Sequence, residues 1–158
     1  VRCMPNTPAL VQLGATGIFA NNQVNSTQKE SAQTILNAVG LSVWVETEDN
    51  LDAVTAISGS GPAYFFYFIE LLQQAAEKLG LPPETAKVLA QQTALGAATM
   101  AQGRDTAELR AQVTSNKGTT EQAILSFQKN NLASLVDKAT QAAHDRSIEL
   151  ASELSDRS

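Results

Sequence analysis

The pattern of apolar and polar positions changes character near residue 50. Before it, short apolar stretches flank a single helical stripe. Val1 to Met4 is a short strand candidate, and Pro5-Asn6-Thr7-Pro8 then imposes extended or turn geometry, because each proline restricts its neighbours. Gly14 to Ala20 alternates small and apolar residues, as a strand does. Thr27 and Glu30 have capping-box spacing, and Ala32, Ile35, Leu36 and Val39 then recur at i, i+3, i+4, i+7, the stripe of an amphipathic helix. Gly40 reads as its C-terminal stop. Leu41 to Val45, which holds the only tryptophan (Trp44), reads as a strand. A strand–helix–strand run of this size suits the closing edge of a larger sheet. Alone it cannot cover both sheet faces, so exposed apolar surface is expected.

From Asn50 onward the pattern is helical to the end. Leu51, Val54, Ala56 and Ile57 predict a short helix, interrupted by Gly59-Ser60-Gly61-Pro62, with Pro62 suited to open the next. That helix, Ala63 to Leu79, begins Tyr64-Phe65-Phe66-Tyr67-Phe68, five of the eight aromatic residues in the chain. Consecutive helical residues point all round the axis, so one neighbour cannot bury such a block. It predicts a helix surrounded by partners, some from a second subunit, or a helix central to a monomeric bundle. Gly80 ends it, Pro82-Pro83-Glu84 starts another running to about Gln102, and Gly103 stops that one. Ala90, Ala94, Gly96, Ala97 and Ala98 would allow close helix approach. Shorter helices are predicted from Thr106 to about Gln112 and from Thr120 to about Lys129. Asn130-Asn131 breaks the pattern before a last helix, Leu132 to about Leu154. The fold class expected is mainly α: a helical bundle over residues 49–158, preceded over residues 1–48 by a small strand–helix–strand remnant of a larger sheet.

Composition narrows the functional classes. A net charge of −5 and a pI near 4.8 argue against nucleic acid or an anionic membrane as partner. No apolar run approaches a membrane span, and no secretory signal is read at the front. Cys3 is the only cysteine, so an intrachain disulfide is impossible and a reducing cytoplasm is the expected compartment. One histidine, His144, cannot assemble a Cys/His zinc site with it, and no metal is expected. His144 falls among alanines and charges on the last helix without a nucleophile motif, and is read as a surface residue. The first residue is Val1, and no G-x-G-x-x-G follows a strand anywhere. The chain is therefore expected to be part of a longer one, without the phosphate-binding half of a dinucleotide fold.

The chemistry-bearing stretch is Val113 to Gln122, V-T-S-N-K-G-T-T-E-Q. Thr114, Ser115, Thr119 and Thr120 carry four hydroxyls within seven residues, around Gly118. Thr119 with Gln122 fits a capping box. The free N–H groups and the dipole of a helix start also attract a small anion, and Gly118 would let a ligand approach the backbone.

Read beside R-C-M-P-N-T-P (Arg2 to Pro8) and S-G-S-G-P-A-Y (Ser58 to Tyr64), this stretch resembles the pyrroline-5-carboxylate reductase family, which carries out the last step of proline synthesis. The resemblance runs through the whole chain. It corresponds to the end of the family's dinucleotide-binding domain followed by its helical dimerisation domain, which implies that the strand–helix–strand remnant is of a Rossmann-type sheet. One position departs: the family signature S-x-G-G-x-T has a small residue, usually glycine, where Lys117 stands.

The resemblance implies hydride transfer from NADPH or NADH to a cyclic imine bearing a carboxylate. It implies Ser115, Gly118 and Thr119 as a carboxylate cradle, and Thr120 as the hydroxyl that reaches the ring nitrogen during transfer. Asn6, Thr7, Pro8 and Pro62 fall on the cofactor side. It also implies a homodimer or larger homo-oligomer, in which one chain's polar turn serves the other's nucleotide domain. Lys117 either points to solvent or adds positive charge over the carboxylate. Without the phosphate-binding half, these residues alone are not expected to bind NAD(P)H well or turn over. Two other readings are a non-catalytic helical dimerisation module, and the helical domain of a hydroxy-acid dehydrogenase. The latter would use a lysine base, for which Lys78 and Lys87 lack a surrounding motif.

Overall fold

A computed structural model describes residues 1–155. The chain forms two compact units: residues 1–64 together with the chain from Asp137 onward, and residues 65–136. The boundaries fall inside two helices, α3 (Gly61–Lys78) and α7 (Leu132–Ser155).

The first unit is built on a three-stranded sheet in the order β1-β2-β3 (Arg2–Met4, Gly14–Phe19, Gly40–Trp44). β1 runs antiparallel to β2, with Arg2 opposite Phe19, and β3 runs parallel to β2, with Gly14 opposite Gly40. A short 3-10 helix, Thr7–Val11, links β1 to β2, and α1 (Ser26–Asn37) links β2 to β3. A parallel pair needs such a crossover, which is why one helix stands between two short strands. β2 is central and carries the core: Ile18 is fully buried and Thr16 nearly so. α2 (Asn50–Val54) packs on β2 through Val54, whose methyls lie 2.7 Å from where a Cβ on Gly17 would stand. Leu51 of α2 and Ala56 just after it are buried. On α7, Ser147 Oγ donates to Asp52 Oδ1 at 2.6 Å, a tie across 95 residues.

Two features of α1 correct the sequence reading. The capping box is made by Asn25 and Gln28, not by Thr27 and Glu30: Asn25 Oδ1 accepts from the Gln28 N–H at 2.9 Å, and Gln28 Oε1 accepts from the Asn25 N–H at 3.0 Å. Asparagine outranks threonine as an N-cap, so the helix starts at Ser26. Gly40 does not stop the helix, which ends at Asn37 with Ala38 as its cap. Gly40 instead opens β3 at φ +150°, and a Cβ there would overlap the Gly14 backbone. Trp44 is fixed against α1 by Gln33, which accepts its Nε1–H at 3.0 Å, and by Lys29, whose Nζ lies 5.6 Å from the ring centroid. Leu10, Val11, Leu13, Leu41 and Val43 are exposed, the uncovered apolar surface expected of so small a sheet.

The second unit is helical. α3 ends at Gly80 (φ +97°), α4 spans Pro83–Ala101 before Gly103 (φ +67°), and α5 covers Thr106–Gln112. α6 covers Thr119–Lys129, and Asn131 (φ +56°) turns the chain into α7. These ends match the sequence pattern. The buried apolar side chains here are small, Ala86 and Ala90. Phe68 meets Phe127 with ring centroids 6.4 Å apart. Phe65, Phe66 and Tyr67 remain 70%, 66% and 61% exposed, so among the described residues no helix covers these three rings. Among the described residues, no helix is long and apolar enough to cross a membrane.

Gly40→Ala combines a disfavoured φ with a backbone overlap. In urea denaturation at fixed protein concentration it is expected to cost at least about 1–3 kcal/mol. A wild-type midpoint would refute the tight β2–β3 start.

Candidate functional site

The polar turn lies in the second unit, between α5 and α6. Thr114 is drawn back into α5, its Oγ1 donating to the Arg110 carbonyl at 2.6 Å. The Gly118 N–H closes a turn onto the Ser115 carbonyl at 3.0 Å. Lys117 sits in that turn in the left-handed region, at φ +58°. This position favours glycine, and lysine is tolerated because its own N–H is held by Glu121 Oε2 at 2.7 Å. The Lys117 side chain carries no ion pair among the described residues.

The expected capping box between Thr119 and Gln122 is not formed. α6 begins at Thr119, its N-cap is Gly118 in extended geometry, and no side chain caps it. The Gln122 N–H bonds the Gly118 carbonyl at 3.3 Å instead. Moving the cap back one residue makes Glu121 the third residue of the helix. That is where an acidic side chain reaches back past the cap. Glu121 is thus the residue the sequence reading missed. Its signal was an acidic residue three places after a glycine that could cap.

The consequence for the site is direct. Ser115, Gly118, Thr119 and Thr120 are gathered in one turn at the mouth of α6. Ser115, Thr119 and Thr120 are exposed and Gly118 is half-buried. The Ser115 hydroxyl occupies the space a Cβ on Gly118 would need, so any larger residue there would displace it. First-turn N–H groups without a side-chain cap, with hydroxyls beside them, are the kind of arrangement that can accept a small anion.

The cofactor-side candidates lie in the first unit. An open depression of about 650 Å³ is lined by Met4, Pro5, Asn6, Thr7, Thr55 and Ser60, among others. Asn6 and Thr7 belong to its wall, whereas Pro8 and Pro62 do not. Pro8 stands at the start of the 3-10 helix and Pro62 is the second residue of α3. The Asn6 side chain is committed internally: Oδ1 accepts from the Ala15 N–H at 2.8 Å, and Nδ2 donates to the Ser58 carbonyl at 3.0 Å. The wall is mainly apolar, with the hydroxyls of Thr7, Thr55 and Ser60 among its lining residues.

His144 is about one-third exposed on α7, with its Nδ1 3.5 Å from Asp145. Arg146 has its pKa raised above the ordinary value by the hydrogen bonds it donates to Glu149 and Glu153, and lies outside both sites. No cluster of three or more metal-ligating side chains occurs among the described residues.

Residues 48–150 match the family described as pyrroline-5-carboxylate reductase dimerisation. The chain belongs to the pyrroline-5-carboxylate reductase family. It is 56% identical over 156 residues to the pyrroline-5-carboxylate reductase of Pseudomonas aeruginosa, covering 98% of this chain and 57% of that protein. It is 45% identical over 153 residues to that of Pasteurella multocida, covering 95% of this chain and 56% of the relative. It thus spans a little over half the length of these relatives. Among solved structures, a Coxiella burnetii member superposes with a TM-score of 0.91 at 52% identity, covering 94% of this chain and 56% of that one. A Plasmodium falciparum member solved with NADP bound superposes at 0.82 and 38% identity, covering 92% and 60%. Family membership sets aside the hydroxy-acid dehydrogenase reading.

Glu121→Ala removes the acceptor that holds Lys117. Amide exchange at Lys117 is expected to quicken about fivefold, equivalent to about 1 kcal/mol, with Glu121→Gln close to wild type. Equal rates in all three would mean that the bond does not order the turn.

Proposed function

We propose that this chain is the dimerisation and substrate-binding part of a pyrroline-5-carboxylate reductase. That enzyme reduces 1-pyrroline-5-carboxylate to L-proline with NADPH or NADH. The observation that carries the reading is the uncapped start of α6, with Ser115, Gly118, Thr119 and Thr120 gathered around it. It sits in a chain 56% identical to an enzyme of that name.

The division of labour follows from the chemistry. The substrate carboxylate sits over the first-turn N–H groups, where the helix dipole favours negative charge, and the Ser115 hydroxyl donates to it. The Thr120 hydroxyl donates to the ring nitrogen, holding one ring face and favouring charge development there as the carbon is reduced. No strong base is required. When bound, the nicotinamide cofactor supplies the hydride. Asn6, Thr7, Pro8 and Pro62 are assigned to its side of the site, with the phosphates held by the dinucleotide-binding half of the enzyme. Residues 1–48 are assigned to the end of that half and residues 49–158 to the dimerisation domain. The family match beginning at residue 48 supports this division.

The partner is a second copy of the chain, or several. The exposed Phe65, Phe66 and Tyr67 support this, since so much aromatic surface on one helix needs cover. A net charge of −5 supports the absence of nucleic acid and anionic membrane from the partner list. The lone Cys3 supports a cytoplasmic setting.

In the full enzyme, Thr120→Ala is expected to lower kcat/KM for 1-pyrroline-5-carboxylate by about five- to a thousandfold, matching a loss on the order of 1–4 kcal/mol. KM for NADPH should be little changed. Steady-state kinetics with both substrates varied decide it, and wild-type kcat/KM in the variant would remove Thr120 from the mechanism.

A further inference from the structure

The helix that starts at Asn50 does not simply end at the glycines. Over Thr55–Gly59 it widens into a π turn, in which the Ser60 N–H reaches back five residues to the Thr55 carbonyl at 2.8 Å. Two main-chain acceptors lose their ordinary helical partners as a result. In an α-helix the Ser60 N–H would go to Ala56, so the Ala56 carbonyl is released. The residue four places after Ser58 is Pro62, which has no N–H to give, and the next N–H, that of Ala63, goes to the Ser60 carbonyl at 3.0 Å.

Both released carbonyls are met by side chains from elsewhere. Tyr64, in the first turn of α3, donates its hydroxyl to the Ala56 carbonyl at 3.0 Å. Asn6, in the loop after β1, donates its Nδ2–H to the Ser58 carbonyl at 3.0 Å, and its Oδ1 is anchored by the Ala15 N–H. Those opposite partners fix the orientation of the amide. Leaving the Ala56 carbonyl unmet would favour a return to α geometry, in which the Ser60 N–H takes it and the register of Ile57 to Ser60 shifts, whereas the Ser58 carbonyl has no helical donor in either geometry and depends on Asn6. Thr55, Gly59 and Ser60 line one side of the depression whose other side is Met4, Pro5 and Thr7.

We propose that Asn6 and Tyr64 are positioning residues. Tyr64 favours the π turn by taking the Ala56 carbonyl, Asn6 ties the turn to the loop after β1 through the Ser58 carbonyl, and together they set the wall against which the nicotinamide end of the cofactor lies. This rests on the cofactor-side assignment above. It gives Asn6 a role exercised through the turn, and it brings in Tyr64, which that assignment did not include.

The test uses the full enzyme, dinucleotide-binding half included, with NADPH as the probe. Tyr64→Phe removes one donor. Asn6→Asp keeps the acceptor for Ala15 and loses the donor to Ser58. Each variant is expected to speed Ser60 amide exchange without cofactor and to weaken NADPH binding about five- to tenfold in a fluorescence titration. The KM for the imine should stay within about twofold. The double variant should bind no more weakly than the poorer single one, because both act through one turn. Unchanged Ser60 exchange, or losses in binding that multiply, would overturn the proposal; multiplying losses would mean that Asn6 meets the cofactor independently. Should Asn6→Asp not fold, Tyr64→Phe decides by the same two readings. If the wild-type enzyme reduces no 1-pyrroline-5-carboxylate while both readings move as described, the reductase reading fails and this one stands.

Discussion

The structure depends on a mismatch between apolar surface and the means to cover it. Among the described residues the buried apolar side chains are Ile18, Leu51, Ala56, Ala86 and Ala90, and three of these are alanines. Large side chains on α3, α4 and α7, such as Phe66, Leu89 and Leu135, stay exposed. Conformational entropy lost along helices this long has to be offset by apolar burial. Burial on that scale is not reached among the described residues of this one chain, and the family matched over residues 48–150 is described by dimerisation.

Against that background the polar turn is unusual for what it leaves free. Most helix starts are satisfied by a side chain from the cap residue. α6 has a glycine cap, and the acidic residue in its first turn is used on the Lys117 N–H behind the cap. No side chain caps the first-turn donors, while the left-handed residue Lys117 is still held. A site for a small anion can be assembled from backbone and hydroxyls alone, which suits a reaction needing orientation more than acid–base strength.

Much of the fold was legible because its signals are local. Gly80, Gly103 and Asn130-Asn131 end helices by their own backbone preferences, and the helical stripes read directly as α3 to α7. Where two local signals competed, the reading slipped. Asn25 and Thr27 both resemble caps, and Gly40 resembles a helix stop although its φ serves strand pairing. The same ambiguity placed the α6 cap one residue late and hid Glu121. The π turn was not legible at all: its released carbonyls are met by side chains outside it, that of Ala56 by Tyr64 and that of Ser58 by Asn6 from 52 residues away. The hydroxyl cluster of the site was readable as composition in a short window. The depression was not, because it is made by elements distant in sequence.

Trp44 is the only tryptophan, and it is tethered to α1 by Gln33 and Lys29. Intrinsic emission excited at the indole band therefore watches the β3–α1 contact and is nearly blind to the helices from Phe65 to Val136. Far-ultraviolet dichroism weights those helices instead. The two signals follow different parts of the molecule. Were their melting curves to separate, the separation would map which part loosens first, which gives this chain a built-in pair of spectroscopic reporters.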